Sequence, residues 1–161
     1  MNNFCTDPII GHRFAPISLL SALENTVEKH ISHFHVDEFI IGRYGDFDHM
    51  AAQAVKNVKR QHPGIRLTML LAYYNPQKPT PLTEGFDDSL FPEGLEFVPK
   101  RYAIMKANLY MVKHCDYLIT YDKGIVGNTR IIVEKAQREQ AKGHLTITNL
   151  AKCGNQQTSS R

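Results

Sequence analysis

YLITYDKGIVGNT, residues 117–129, is the stretch on which the reading of this chain turns. A short apolar strand breaks into a glycine-marked turn, and a helical pattern opens at Asn128 or Thr129. A strand that ends this way can aim backbone N–H groups and the positive end of a helix dipole at a phosphate. Two other strand ends carry similar polar turns, Gly11-His12-Arg13 and the GRYGDFD run from Gly42 to Asp48. All three can meet at one edge of a parallel sheet, so the sequence points to a pocket before it points to a reaction.

Outward from this stretch, strands and helices alternate. Phe4 to Ile10 reads as a first strand closed by Gly11, with Pro8 suited to a strand edge or bend. Leu19, Leu20, Leu23, Val27 and Ile31 keep helical spacing and predict a helix from Pro16 to about His33. Glu38 to Ile41 is a second strand. Phe47, Met50, Ala51, Ala54, Val55 and Val58 then trace a second helix, with Asp46 as its N-cap and Pro63-Gly64 beyond its end. Leu67 to Ala72 reads as a buried third strand. The proline-rich stretch from Tyr74 to Pro99 has no periodicity and is expected to be an ordered functional loop or a flexible lid. A third helix over Arg101 to Cys115, a fourth strand over Tyr117 to Tyr121, a fourth helix over Thr129 to Lys142 and a fifth strand over Leu145 to Leu150 complete the pattern. This alternation predicts an α/β, Rossmann-like three-layer sandwich: a mainly parallel sheet of about five strands, helices on both faces, and a ligand outside the carboxyl ends of the strands. Residues 1–150 form a single domain in this reading. The small polar residues of 151–161 are expected to be a disordered tail.

Composition narrows the function classes. With 161 residues, 42% of them hydrophobic, the chain can build one proper core. Its 19 basic and 16 acidic residues are mixed along the chain, and the net charge of +3 comes with no basic block of the kind that marks a nucleic-acid arm. Cys5, Cys115 and Cys153 share no CxxC spacing, which argues against a disulfide framework or a zinc site and suits a reducing cytoplasm. No apolar run approaches the roughly 20 residues that span a bilayer. MNNFCTDP lacks the basic and apolar regions of a signal peptide, so a soluble cytoplasmic protein is expected.

The runs IIGHR (9–13), GRYGDFDHMA (42–51), FPEGLE (91–96), PKRYAIMKAN (99–108) and CDYLITY (115–121) resemble, in order and spacing, the SLOG superfamily of Rossmann-like domains. More narrowly, they resemble its bacterial proteins of unknown function that open with a Thr-Gly-His-Arg segment. The resemblance covers residues 6 to 150 and implies a domain that binds a nucleotide or nucleotide-derived ligand. The same superfamily includes cytokinin-activating phosphoribohydrolases and DNA-processing proteins. The phosphoribohydrolase branch carries a Pro-Gly-Gly-x-Gly-Thr-x-x-Glu signature with an active-site glutamate, whereas this chain reads Asp122-Lys123-Gly124-Ile125-Val126-Gly127-Asn128-Thr129. Aligned on Gly127 or on Thr129, the glutamate position falls on Ile131 or Ile132, and Glu134 lies about 200 to 300 degrees further round the helix.

Each candidate residue has two readings. His12 and Arg13 can position a phosphate or ribose, a planar guanidinium giving two parallel hydrogen bonds to an anion; alternatively Arg13 caps a helix end. Asp48 holds a ribose hydroxyl or caps the helix it begins. Arg101 reaches into the pocket or pairs on the surface with Glu96 or Glu93. Glu93 is the best remaining carboxylate for acid or base work. His30, His33 and His35 are near enough in sequence for a metal, but they end an amphipathic helix, where histidines meet the dipole favourably. Tyr73, Tyr74 and Tyr102 stack on a base or form core edges. The expected ligand-binding set is Gly11, His12, Arg13, Gly42, Gly45, Asp48, Arg101, Tyr121, Gly124, Gly127, Asn128 and Thr129, with no metal and no resident cofactor. The partner is a nucleotide-like small molecule bound by a sensor or binding module, with a second copy of the chain kept open as a partner. Two alternatives stand beside it: an N-glycosidic or phosphoribosyl hydrolase using Glu93 or Asp48, and single-stranded DNA binding, which needs a basic groove with stacking aromatics.

Overall fold

A computed structural model describes residues 4–151. Cys153 and all but the first residue of the expected tail, 151–161, lie outside the described residues. Strand β1 (Thr6–Gly11) is followed by α1 (Leu19–Phe34), β2 (Glu38–Ile41), α2 (Asp46–Lys59), β3 (Arg66–Leu70), β4 (Asp88–Leu90), a short 3-10 turn (Leu95–Phe97), α3 (Lys100–Lys113), β5 (Tyr117–Tyr121), α4 (Asn128–Ala141) and β6 (Thr146–Asn149). The six strands form one sheet in the order β4-β3-β2-β1-β5-β6, every neighbouring pair parallel. The chain winds outward from β1 through β2 and β3 to β4, then crosses back to β5 on the other side of β1. The winding therefore reverses between β1 and β5, and the carboxyl ends of β2, β1 and β5 lie side by side.

Alternation along the strands sorts the core onto two faces. Ile9, Phe39, Ile41, Leu67 and Ile119 pack with Leu23 and Val27 of α1 and with Phe47, Ala51 and Val55 of α2. On the opposite face, Ile10 and Leu118 pack with Val112 of α3 and with Ile132 and Ala136 of α4. Ile40 and Leu70 pack there with Ala103, Ala107 and Met111 of α3. Helices α1 and α2 thus cover one side and α3 and α4 the other, which is the three-layer sandwich read from the sequence.

Three details differ from the sequence reading. A sixth strand, β4, lies inside the stretch read as a loop or lid. It is only three residues long, exposed at Asp88 and Ser89, and joined to β3 through Leu71 N–H on Leu90 O at 2.8 Å and Asp87 N–H on Leu67 O at 2.8 Å. Pro8 sits in the central strand rather than at an edge. Pairing of β1 with β5 begins only at Ile9, one residue past the proline, so its missing N–H interrupts no ladder on that side. Helix α1 starts at Leu19 rather than Pro16, because the carbonyls of Pro16 and Ile17 accept from Leu19 and Leu20 in a preceding turn.

Candidate functional site

The site is assembled around the carbonyl of Arg13. That oxygen accepts the N–H groups of Asp46 at 2.8 Å and Phe47 at 3.4 Å, so the turn after β1 caps the start of α2. The backbone of Arg13, not its guanidinium, does the capping. Gly45, not Asp46 as read from the sequence, is the N-cap residue, since Asp46 is already the first helical residue, and a Cβ at 45 would lie 2.9 Å from Arg13 O and 3.1 Å from Arg13 Cα. Close backbone approach is thus what calls for glycine at 45. We expect Gly45→Ala to cost about 1–3 kcal/mol as an overpacked contact, read by urea unfolding; an unchanged midpoint would mean that the turn yields without cost.

The turn after β5 is fixed from below. Asp122, almost fully buried, accepts Gly124 N–H on Oδ1 at 2.9 Å and Arg130 Nη1 on Oδ2 at 2.8 Å, tying the turn to the first turn of α4. Asn149 of β6 clamps the same residue, its Oδ1 accepting Asp122 N–H and its Nδ2 donating to Asp122 O. Lys123 N–H donates to His12 Nε2 over 2.9 Å, which leaves the imidazole proton on Nδ1. The His12 ring stands edge-on to Tyr121 at 5.6 Å, and Tyr121 stacks on Phe47 at 6.0 Å. Tyr121 therefore supports His12 from beneath. Gly124, with φ at 80°, turns the chain toward α4, whose N-cap is Gly127. No side chain caps α4, and Ile131 N–H on Gly127 O is its first intrahelical bond. The N–H groups of Asn128, Thr129 and Arg130 are left without an intrahelical acceptor.

A cavity of about 250 Å³ opens where these turns meet. The strand-end turns contribute His12, Arg13, Gly45 and Asp48, and α4 contributes Asn128 and Thr129. Arg101, Ile104, Met105 and Asn108, spaced along one face of α3, close the other side. Eight of the twelve expected residues (Gly11, His12, Arg13, Gly45, Asp48, Arg101, Asn128 and Thr129) thus line one space. Gly42 lies behind Asp48, Tyr121 lies beneath His12, and Gly124 and Gly127 shape the turn without lining the cavity. Ile10, Tyr44, Ile104, Met105, Asn108 and Ile132 line it unanticipated; the i, i+3, i+4, i+7 spacing from Arg101 was the available signal for Ile104, Met105 and Asn108.

Neither Arg13 nor Arg101 has a carboxylate within ion-pair distance among the described residues. Arg101 instead lies over the Tyr102 ring at 4.7 Å, and Arg13 lies 6.0 Å from the Phe14 ring. Asp48 accepts Tyr44 N–H on Oδ2 at 2.9 Å, reaching back over the helix start as a capping side chain does, and burial pushes its carboxyl up. Glu93 does not join the site. It is exposed and lines a separate groove of about 450 Å³ on the outer side of α3, with Lys106, Lys113, Lys135 and Arg138. Tyr73 packs edge-on against Tyr44 at 5.9 Å, while Tyr74 packs against Phe91. His30 points into the core, where its ring meets the buried Asp7. Among the described residues no cluster of three or more His, Cys, Asp or Glu is arranged to hold a metal ion, and no helix is long and apolar enough to cross a membrane. Burial pushes the Cys5 and Cys115 thiols up to about 11 and about 12, so neither supplies a thiolate at neutral pH.

This arrangement of strands and helices has known counterparts. The fold is shared with molybdenum cofactor carriers. The molybdenum cofactor binding protein of the phototrophic bacterium Rippkaea orientalis matches with a TM-score of 0.57 at 15% identity, over 98% of this chain and 97% of that one. The molybdenum cofactor carrier protein of Chlamydomonas reinhardtii matches in two structures, with TM-scores of 0.53 and 0.50, both at 14% identity and over 99% of this chain and 100% of that one. At these identities the likeness is one of fold. No protein-family model and no curated protein sequence matches the chain.

Proposed function

We propose that this chain is a binding or carrier module of SLOG type, a single domain that holds a small nucleotide-derived ligand by its phosphate at the carboxyl edge of the sheet. One observation carries the reading: the uncapped N-terminus of α4 opens, through Asn128 and Thr129, into the cavity that also receives His12, Arg13 and Arg101, and neither arginine is neutralised by a carboxylate among the described residues. Partial charge from α4 and full charge from the guanidiniums add at one place, which favours a dianionic phosphate. A volume of about 250 Å³ suits one phosphate and a ring rather than a dinucleotide, since pockets for small molecules run from roughly 300 to 1,000 Å³. The fold neighbours are a molybdenum cofactor binding protein and a molybdenum cofactor carrier protein, so the same fold holds a small molecule in them. Cys5 and Cys115 precede β1 and β5, at the sheet end remote from the cavity. Neither thiol of the described residues is therefore placed to touch a ligand in the cavity.

Holding is favoured over cleavage by Ile132, a buried residue on the cavity wall at one of the two positions that align with the phosphoribohydrolase glutamate. Its side chain supports a ring and moves no proton. The test is a thermal-shift screen of the full chain over nucleoside monophosphates and cyclic nucleotides, with single-stranded DNA as competitor. A ligand at 100 times its Kd adds about 2.7 kcal/mol of stability. Arg13→Ala should weaken binding of a phosphorylated ligand by about 1–3 kcal/mol, the scale of a lost charge-assisted hydrogen bond, with Tm nearly unchanged. Equal affinity in wild type and variant would remove Arg13 from the site, and displacement by DNA would favour the nucleic-acid reading.

A further inference from the structure

We infer that Asp48 is the specificity residue of the cavity, reading the paired N–H donors of a 2-amino-4-oxopyrimidine ring edge, the edge shared by guanine and pterins. This rests on the proposed binding of a phosphate-bearing ring in the same cavity. Asp48 is the only carboxylate lining that space, and among the described residues no cation lies within ion-pair distance of it. Its position is fixed. Tyr44 N–H holds Oδ2 at 2.9 Å, and Gly42 makes room for the same oxygen, since a Cβ at 42 would stand 3.1 Å from it. Gly42, Gly45 and Asp48 of the GRYGDFD run thus act together, Gly45 seating α2 on the first turn and Gly42 admitting the carboxylate beside the end of β2. An ionised carboxylate only accepts hydrogen bonds, so it selects a group that presents donors.

The common ring edges differ sharply in that respect. Adenine and cytosine place a single amino donor beside an acceptor, and uracil places one N–H between two carbonyls. The 2-amino-4-oxopyrimidine edge alone presents two adjacent donors, the ring N–H (N1–H in guanine, N3–H in a pterin) and the 2-amino group, which match the two oxygens of a carboxylate. The walls suit a flat ring: Ile10 and Ile132 on one side, Ile104 and Met105 on another, with Tyr44 held in place as its hydroxyl oxygen accepts Ala72 N–H at 2.9 Å. A ring seated there gives Asp48 the donors that its partly desolvated carboxylate lacks.

The experiment is isothermal titration of the full chain and of Asp48→Asn with GMP, AMP, XMP and a pterin monophosphate. XMP replaces the 2-amino group by a carbonyl, and asparagine offers one donor beside one acceptor, so the variant matches xanthine where the wild type matches guanine. We expect wild type to prefer GMP or the pterin over AMP and XMP. Asp48→Asn should lose roughly tenfold to hundredfold in GMP affinity and gain for XMP, the scale of one bidentate pair. That gain also shows that the variant is folded. The tighter of GMP and the pterin monophosphate identifies which source of the shared edge the cavity is built for. If GMP and AMP bind alike and Asp48→Asn weakens both equally, the carboxylate holds the ribose, the binding reading stands and this inference falls. If no monophosphate binds either protein, both fall together.

Discussion

His30→Ala should destabilise the protein by about 3–5 kcal/mol, the cost of leaving a buried carboxyl without its partner, while leaving ligand affinity unchanged. His30 is 1% exposed, and its Nδ1 meets Asp7 Oδ2 at 2.5 Å; Asp7 is wholly buried in the central strand. The imidazole Nε2 meets Thr148 Oγ1 at 3.0 Å, so one ring joins α1 to both β1 and β6. Among the described residues Asp7 Oδ1 has no hydrogen-bond partner, and His30 is the side chain that holds the carboxyl. Burial pushes the Asp7 carboxyl up against the pull of that histidine, and the variant removes the pull. The sign of the pH dependence follows. With its folded-state pKa above the unfolded value of about 3.9, Asp7 binds its proton more tightly when folded. Its contribution is therefore favourable below that value and is lost as pH rises through the folded pKa. The penalty of His30→Ala should be large at neutral pH and shrink on acidification. Replacing both partners by apolar residues, Asp7→Val with His30→Leu, should recover most of the loss, since two matched apolar groups leave nothing unsatisfied. A single-variant cost below about 1 kcal/mol in urea unfolding, smaller than breaking any buried pair, would show that the pair carries no stability.

Much of this fold is legible in the chain because its signals are local. Ile9, Ile41, Leu67 and Ile119 lie in apolar runs of four to six residues bounded by turns, and the helices carry spaced apolar faces that such runs need as cover. The meeting of the three strand ends follows from alternation and the handedness of crossovers. What stayed hidden depends on contacts between distant residues. Strand β4 has no pattern of its own, since Asp88 and Ser89 are exposed and the strand exists through pairing with β3 and through Asp87, which accepts Leu67 N–H and pairs with Lys59. Burial pairing of Asp7 with His30 spans 23 residues, although His30 continues the stripe of Leu23 and Val27 and was readable as an inward-facing residue. Within the site, the sequence singles out the glycines and the charges, but the reason for each glycine is a distance to another segment. Gly45 faces Arg13, Gly42 faces Asp48 and Gly11 faces Phe47.

The last of these contacts leads to the second large expected effect, Phe47→Ala. Phe47 is 1% exposed, and its ring fills the space that a side chain at position 11 would take, with a Cβ at 11 falling 2.6 Å from two ring carbons. The ring also stacks on Tyr121, which supports His12, which in turn accepts the N–H of Lys123 in the turn after β5. Truncation should therefore cost about 3–5 kcal/mol, as for other buried aromatic residues cut to alanine, and should also lower ligand affinity, because Gly11, Tyr121 and His12 lose their floor. This separates it from His30→Ala, whose effect stays at the amino end of the sheet. The double-mutant cycle with Gly11→Ala is the sharper measurement. In the wild-type background the added methyl collides with the ring and destabilises; in the Phe47→Ala background it enters the vacated space, and its cost should vanish or reverse. Additive losses in urea unfolding would mean that Gly11 and Phe47 do not share that space, and the chain of support from α2 to the turn after β5 would have to be abandoned.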